Sequence, residues 1–528
     1  MSLLRNFATV GGATLTSRVL GFVRDILMAA ALGTGPVADA FVVAFRFPNL
    51  FRRLFAEGAF NSAFVPLFAR TLEGDGKESA KAFAQEAMAG LLTVLALVTA
   101  VAMIAMPILM LVLAPGFISD SNKFDLTVFL TRITFPYLTL VSILALISGV
   151  LNGLGRFAAA AFAPTLLNVV LIGVLWVLLA AGLAGEAEAG IWLAIGVVIG
   201  GFAQLAMVIG DLHRAGFLLK LVRPRWSDRM KRLVSLGVPG VIAGGITQIN
   251  IVVGTMIASL QAGAVSLLYY ADRLYQLPLG VVGIAIGVVL LPELSRRLKA
   301  GDDDGVKDAS ERSLEFAMLL TLPAAVALAA IPIPLVSVLF ERGAFGEEAR
   351  LGTAAALQAF AIGLPSFVLI KVFSPAFFAR EDTKTPMLIG GLSVAVNIAC
   401  SLALFPLIGH VGIALATSIA GWVNALVLYY LIAKRGYWHL ERALLLKVAI
   451  LFACAIAMGA LLISLAGVLE PQLVVTAPLW VRVIALGALV FAGIITFFGL
   501  AHVTGAAKLS EMKRLLTRKP VANDGHLD

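Results

Sequence analysis

Residues 91–114 read LLTVLALVTAVAMIAMPILMLVLA, twenty-four residues without a charge. At 1.5 Å per residue such a helix is longer than the roughly 30 Å hydrocarbon core of a bilayer. Its faces are apolar all round, so it has no side to offer water. Similar runs recur along all 528 residues, which are 60% hydrophobic and 13% charged with a mean hydropathy of +0.99. Soluble domains hold roughly 45–50% apolar and 25% charged residues, so a soluble enzyme is excluded. At roughly 35 residues per span and connection there is room for about fifteen crossings, and little remains for an extramembrane domain.

Apolar runs bounded by Gly, Pro and charge place spans near 5–33, 37–66, 82–114, 126–152, 158–183, 188–210, 233–260, 264–294, 313–341, 351–379, 384–406, 411–433, 444–468 and 475–503. The expected fold class is an all-α polytopic membrane protein with fourteen transmembrane helices. Runs longer than about 25 residues, such as 82–114, are read as tilted or as projecting past the lipid. Cytoplasmic loops hold the excess of Lys and Arg. With the N-terminus inside, the outward loops contain only Lys123, Arg342 and Arg350, and the inward segments contain twenty-five Lys and Arg. Among the latter are Arg214, Lys220, Arg223, Arg225, Arg229, Lys231 and Arg232. This asymmetry predicts a multi-pass protein of the bacterial cytoplasmic (inner) membrane with both termini cytoplasmic. It also explains the net charge of +9 without a nucleic-acid partner, because no basic patch sits on a soluble face.

An internal repeat emerges when the chain is slid against itself by 226 to 230 residues. Pro66 and Arg70 meet Pro292 and Arg296, Lys77 and Met88 meet Lys307 and Met318, and Pro107 and Gly116 meet Pro334 and Gly343. Phe135-Pro136 and Asn168 meet Leu364-Pro365 and Asn397. Six spans per copy is an even number, so the copies share orientation and form a parallel pseudo-repeat. The expected organisation is a six-helix lobe over 1–213, a basic cytoplasmic linker over 214–232, a second six-helix lobe over 233–434, two additional transmembrane helices over 435–505 and a cytoplasmic tail over 506–528. In that tail Leu509, Met512, Leu515 and Leu516 alternate with Lys508, Lys513, Arg514 and Arg518, which reads either as a short amphipathic surface helix or as a solvated tail.

Other chemistry is poorly represented. Cys400 and Cys454 lie inside apolar runs and frame neither a disulfide scaffold nor a zinc site. His213, His410, His439, His502 and His526 show no ligand spacing, so no metal is expected. There is no P-loop and hence no expected nucleotide. The first apolar stretch carries Arg18, Arg24 and Asp25 before any small-residue cleavage site, so it is read as a retained helix.

The first sixty residues carry Arg5, Arg18, Arg24, Asp25, Asp39, Arg46, Arg52, Arg53 and Glu57 and no lysine. A mid-bilayer charge costs about 2.5–3.5 kcal/mol on insertion scales, so these groups must face a wet cavity or one another. On the first span Ser17, Gly21, Arg24 and Asp25 follow i, i+4, i+7, i+8, one polar stripe, and Arg18 lies roughly 20 Å beyond Arg5. On the second, Asp39 and Arg46 share a face and Phe47-Pro48-Asn49 interrupts the helix ahead of Arg52, Arg53 and Glu57. In the second copy Asp272-Arg273 precedes Pro278, and Lys371 sits in the tenth span. Cations therefore come from both halves, and the expected meeting place is a cleft between them.

Three readings of the arginines compete. They could be structural ion pairs with Asp25, Asp39, Glu57 and Asp272; they could bind an anion; or, for Arg52 and Arg53, they could be solvated charges near the inner surface. Arg18, Arg24, Arg46, Arg52, Arg53 and Arg273 outnumber the four acids, which leaves an anion to be supplied. Planar, permanently charged guanidinium groups grip phosphate bidentately, so the preference for Arg suits a phosphate or diphosphate.

The stretches Ser17-Arg18-Val19-Leu20-Gly21-Phe22-Val23-Arg24-Asp25, Asp39-Ala40-Phe41, Phe47-Pro48-Asn49-Leu50-Phe51-Arg52-Arg53-Leu54-Phe55-Ala56-Glu57-Gly58-Ala59-Phe60 and Tyr270-Ala271-Asp272-Arg273-Leu274 closely resemble the MurJ/MviN family, and the likeness runs through all fourteen spans. The resemblance implies the multidrug/oligosaccharidyl-lipid/polysaccharide exporter fold and a transporter, not an enzyme. It implies flipping of lipid II, the undecaprenyl-diphosphate-linked peptidoglycan precursor, from the inner to the outer leaflet through an arginine-lined cavity by alternating access. On that basis Arg18, Arg24, Arg52, Arg273, Ser17 and Asn49 are expected to bind substrate, and Asp25, Asp39, Arg46, Arg53, Glu57 and Asp272 to gate or pair charge. Some members are thought to use sodium through carboxylates on the seventh and eleventh helices. This chain has no Asp or Glu within 233–260 or 384–406, leaving Gln248, Asn250 and Asn397 as the polar candidates. No cofactor is expected, with drive from the membrane potential or a monovalent ion. The expected partners are lipid II, membrane lipids and cell-wall synthesis proteins. The alternatives are a flippase for another polyprenyl-diphosphate glycan, a multidrug antiporter on the same fold, whose cavity would need the opposite charge sign, and a membrane-embedded transferase, for which no acid/base or metal cluster is visible.

Overall fold

The punctuation in the sequence sets the helix ends. Asp120 caps α6 (Ser121–Thr134) by accepting from Lys123 N, Ser227 caps α10 (Asp228–Ser259) by accepting from Met230 N, and Asp302 caps α12 (Asp303–Ala330) by accepting from Gly305 N. The computed structural model describes residues 3–52 and 61–507. Among these every regular element is helical. The remaining helices are α1 (Leu3–Leu32), α2 (Pro36–Arg52), α3 (Asn61–Gly74), α4 (Gly76–Ile104), α5 (Met106–Leu113), α7 (Tyr137–Gly153), α8 (Ala158–Ala180), α9 (Ala187–Arg214), α11 (Ala264–Lys299), α13 (Pro332–Phe340), α14 (Glu347–Phe378), α15 (Lys384–Ile408), α16 (His410–Lys434), α17 (Arg442–Val468), α18 (Glu470–Leu473) and α19 (Leu479–Val503).

Ten stretches among the described residues are long and apolar enough to cross a membrane: 76–104, 121–153, 158–180, 187–214, 303–330, 347–378, 384–408, 410–434, 442–468 and 479–503. They coincide with ten of the fourteen expected spans. The other four expected spans fall on α1, on α2 with α3, on α10 and on α11.

Two long runs are broken where single helices were expected. The run 82–114 is not one unbroken helix: the helix begins at Gly76 and breaks at Ala105, with Pro107 in the first turn of α5. The run 313–341 breaks likewise at Ile331, between α12 and α13, which opens on Pro332. Proline lacks the amide proton needed to continue the ladder and fits the first turn of a new helix. The breaks stand 226 residues apart, as do the starts of α8 and α15, so the repeat read from scattered matches is also written in the element boundaries.

Packing divides the chain into two compact units, one of 1–273, 340–353 and 398–413, the other of 274–339, 354–397 and 414–528. In the first, α8 lies against both α1 and α9, α2 against α6, and α7 against α9. Helices surrounded by lipid gain little from apolar burial and associate by close packing of small residues. Gly200 on α9 shows this, since a Cβ there would sit 2.5 Å from Leu167 of α8. In the second unit α17 lies on α12 and α19 on α17. Arg482 of α19, 4% exposed, donates through Nη2 to the Ser337 carbonyl at 2.6 Å.

Six turns, at 33–35, 114–120, 181–186, 260–263, 341–346 and 409, all belong to the first unit. Two of them form a reciprocal clasp. Gly116, from the first copy, donates its N–H to Ser259 Oγ at the end of α10, and a Cβ there would lie 2.2 Å from the Ser259 carbonyl. Gly343, from the second copy, lies against the end of α1, where a Cβ would be 2.3 Å from the Ala30 carbonyl. Ala344 N donates to that same carbonyl at 2.8 Å. Each copy thus grips the first helix of the other.

Candidate functional site

The polar stripe of α1 is built around Asp25, a carboxylate only 2% exposed. Arg24 donates to its Oδ1 from Nε at 3.1 Å and from Nη2 at 2.7 Å. The Tyr269 hydroxyl of α11 donates to the same oxygen at 3.0 Å, and Arg273 Nε stands 3.7 Å from Oδ2. A buried carboxylate needs such compensation, since charge taken from water costs several kcal/mol unless paired and hydrogen-bonded. One carboxylate cannot neutralise two guanidiniums, so the cluster keeps a net positive charge.

Arg24 is further held by α8. Its Nη1 donates to Asn168 Oδ1 at 3.0 Å, and Asn168 Nδ2 donates to the Ser17 carbonyl at 2.9 Å. Asn168 therefore ties the start of the stripe to its cation. The Tyr269 ring carries two further guanidiniums, Arg273 at 4.6 Å and Arg46 of α2 at 5.5 Å from its centroid, contacts favoured by the ring quadrupole. Arg24 lies 5.9 Å from the Phe45 ring. One turn further on, Arg52 Nε donates to Asn49 Oδ1 at 3.0 Å, and Asn49 Nδ2 donates to the Phe45 carbonyl.

The cations differ in availability. The Arg24 side chain is 12% exposed with all three nitrogens engaged, whereas that of Arg273 is 34% exposed with its Nε lacking a hydrogen bond among the described residues. Arg18 is exposed and has no hydrogen-bond or ion-pair partner among the described residues. Asp272 is half-buried beside Arg273. Arg53 and Glu57 lie outside the described residues.

Asp39 departs from the expected pairing with arginine. It is fully buried, and its Oδ2 pairs with Lys123 Nζ at 2.6 Å and accepts from Gly263 N at 3.0 Å. Its Oδ1 accepts from Ser266 N at 2.9 Å and Ser266 Oγ at 2.7 Å. The reason is geometric: Asp39 sits at the turn end of α2, facing the first turn of α11, whose free amides donate to its carboxylate. Lys123, read as an outward loop charge, is 6% exposed and lies 3.9 Å from the Phe117 ring centroid.

The polar candidates on the seventh and eleventh spans have surroundings of their own. Gln248 Oε1 and Asn250 Oδ1 are buried without a hydrogen-bond partner among the described residues, and Asn397 Nδ2 donates to Thr417 Oγ1 at 3.1 Å. No grouping of three His, Cys, Asp or Glu side chains suited to a metal occurs among the described residues. Sequence reasoning missed Asn168, Tyr269, Lys123 and Ser266 as parts of these clusters. Asn168 did carry a signal, because a lone amide in an otherwise apolar span must find partners.

Comparisons with known proteins bear on the chain as a whole. The family described as "Lipid II flippase MurJ" matches residues 28–483. A Rhizobium tropici protein called "Probable lipid II flippase MurJ" is 48% identical over 98% of this chain and 97% of its own length. The "Lipid II flippase MurJ" of Burkholderia cenocepacia is 36% identical over 83% of this chain and 85% of its own. Among solved structures, "Lipid II flippase MurJ, inward closed conformation" superposes with a TM-score of 0.75 at 24% identity, covering 96% of this chain and 99% of that one. An inward-facing multidrug transporter of the MATE family gives 0.65 at 16% identity over 79% and 94%, a likeness of fold alone. By the span of the family match and the identity of its relatives, the chain belongs to the MurJ family of lipid II flippases.

Proposed function

We propose that this chain flips lipid II from the inner to the outer leaflet of the bacterial cytoplasmic membrane; its relatives are called lipid II flippases. The observation that carries the reading is the residual positive charge around Asp25. Arg24 is locked by Asp25 and Asn168 and keeps one N–H on each terminal nitrogen to offer. Arg273 is held loosely enough to swing, and Arg18 is open. A diphosphate entering here would take Arg273 from its 3.7 Å contact first, gain Arg18, and then share the fixed Arg24 with Asp25. Charge-assisted, bidentate bonds of this kind are the strong ones, and a locked Arg24 loses little entropy on binding. Ser17, Arg52 and Asn49 extend the polar surface toward the rest of the head group, and Arg46 and Asp272 balance charge beside Tyr269 and Arg273.

The remaining parts of the reading are proposals of the same kind. The two six-helix copies, 1–213 and 233–434, act as the moving halves, with 435–505 an addition and both termini cytoplasmic. No cofactor takes part. The membrane potential supplies drive, worth about 2.3 kcal/mol per net charge per 100 mV for an anion expelled from a negative interior. A monovalent ion at Asn250 or Asn397 would have to bind without a carboxylate. A cationic-drug antiporter would need the opposite sign of charge at this cluster.

The test is lipid binding to the purified protein by native mass spectrometry, comparing lipid II, another polyprenyl-diphosphate glycan and a cationic dye. Preferential retention of lipid II, lost in Arg18→Ala and Arg273→Ala, supports the reading. Equal retention by wild type and variants would show the arginines to be structural.

A further inference from the structure

Between α9 and α10 thirteen residues, 215–227, run without regular structure, whereas the matching stretch between α16 and α17 takes seven, 435–441. The short stretch spends its charge and its aromatic on the protein. Arg435 bonds Asp382 and Thr385, Glu441 pairs with Lys307 of α12, and Trp438, 5% exposed, donates to Glu311. The long stretch is pinned only at its two ends. Phe217 is fully buried edge-on to Phe68, with centroids 5.9 Å apart, and Lys77 Nζ of α4 lies 5.9 Å from its ring centroid. Ser227 donates to Glu86 of α4 at 2.8 Å while capping α10, and the Met230 methyl packs at Gly90.

Between those pins Leu219 and Val222 are half-buried, and the other large side chains are exposed. Leu218, Leu221 and Trp226 are 43%, 73% and 66% exposed. Lys220, Arg223 and Arg225 are exposed and have no hydrogen-bond or ion-pair partner among the described residues. Arg214 and Arg232 flank them in the same condition, while Arg229 and Lys231 are taken up by Asp75 and Asp228. The residues by which the first copy exceeds the second are thus a run of free cations interleaved with free apolar side chains.

We propose that residues 218–226 form a binding surface for the head groups of anionic phospholipids in the leaflet beside the α9–α10 connection. The segment joins α9, long and apolar enough to cross a membrane, to α10, which the sequence reading takes as the seventh span, and this places it at the level of the head groups. There a tryptophan and two leucines can enter the interface, and Lys and Arg meet phosphate. Left in water, the same side chains would be an unshielded apolar patch. The pins at Phe217 and Ser227 hold the segment in place beforehand, which lowers the entropy cost of binding. An acidic protein partner would satisfy the cations and leave the apolar side chains unexplained. The proposal stands apart from what the chain transports, and its test uses no lipid II.

The whole chain is placed in nanodiscs, and the emission of Trp226 is taken as the difference between wild type and Trp226→Phe. Acyl-brominated phosphatidylglycerol should quench that difference more strongly than acyl-brominated phosphatidylcholine. In native mass spectrometry a Lys220→Gln/Arg223→Gln/Arg225→Gln variant should retain phosphatidylglycerol up to roughly 100-fold more weakly, from about 1 kcal/mol per cation at an anionic surface. The fluorescence arm needs no multiple substitution, so it holds if the triple variant folds poorly. Equal quenching by the two lipids overturns the proposal, as does undiminished retention by a triple variant of unchanged melting temperature. Quenching by neither lipid also overturns it and leaves the surface to an acidic protein.

Discussion

Asp39 is the most completely enclosed charge described in the chain, with four donors on two oxygens. Removing one partner of a buried pair costs about 3–5 kcal/mol, because the other charge stays behind in a medium that solvates it poorly. Asp39→Asn should therefore lower the melting temperature of the purified protein markedly, and Lys123→Met should do so as well. The double variant should be more stable than the sum of the two losses, since no orphan charge remains; strictly additive melting shifts would count against the pair. Asn168→Ala acts differently. It frees the Arg24 guanidinium and the Ser17 carbonyl together, two hydrogen bonds worth about 1 kcal/mol each to the fold, so melting should fall modestly, and lipid II retention should fall as well because Arg24 is no longer held in place. An Asn168→Ala protein that binds like wild type would show that Arg24 is oriented by Asp25 alone. The sequence revealed Asp39 as an intramembrane acid but not its partner. Face arguments compare residues along one helix, which suggested Arg46, and Lys123 lies 84 positions away.

At the scale of elements, apolar runs made ten spans legible, because a lipid-facing helix must be apolar over about 20 residues. The breaks at Ala105 and Ile331 were less so. Pro107 lies at the start of α5, whereas Pro48, Pro164 and Pro323 stay inside α2, α8 and α12, so a proline alone does not announce its outcome. The turn joining α14 to α15 is set by chemistry the sequence hardly marks. Asp382 accepts from Thr385 Oγ1 at 2.6 Å and Thr385 N at 2.9 Å, and Arg435 at the end of α16 donates to it at 2.7 Å. The Thr385 bonds, with Arg435 behind them, lower the Asp382 carboxyl from its ordinary 3.8 to about 2. A depressed folded-state value stabilises the turn above the ordinary value, and the contribution is lost as pH falls from about 4 toward 2. Hydrogen exchange of the peptide covering 379–385 should accelerate over that interval relative to the intrinsic rate. Asp382→Asn should exchange fast at pH 6 and show no such step; a wild-type step absent between pH 4 and 2 would refute the assignment. The first copy makes the corresponding tie with the signs exchanged, Arg156 on the loop and Asp211 near the end of α9.

At the scale of the molecule, the reciprocal clasp is the feature that the proposed movement of the two copies would have to undo. Gly116 holds the end of α10 and Gly343 the end of α1, so neither copy can swing away from the other at this end without giving up both contacts. In the proposed orientation, with both termini cytoplasmic, this end faces outside and the clasp closes the outward path. Closely packed backbones are bistable and do not stretch, so opening should be all or none. A covalent lock tests this directly. Gly185, in the turn before α9, would carry a Cβ 3.9 Å from that of Ala344, within the span of a disulfide, and no other atom crowds it. Its φ of 85° costs a side chain roughly 1–2 kcal/mol, which the cross-link can bear. In a Cys400→Ser background, Gly185→Cys/Ala344→Cys should cross-link under mild oxidation. Flipping of lipid II in proteoliposomes should then stop, while lipid II retention persists because the Asp25 cluster is untouched, and reductant should restore transport. Undiminished flipping by the oxidised, fully cross-linked protein would mean that substrate leaves without this end opening, and the clasp would then be a structural fastening and not a gate.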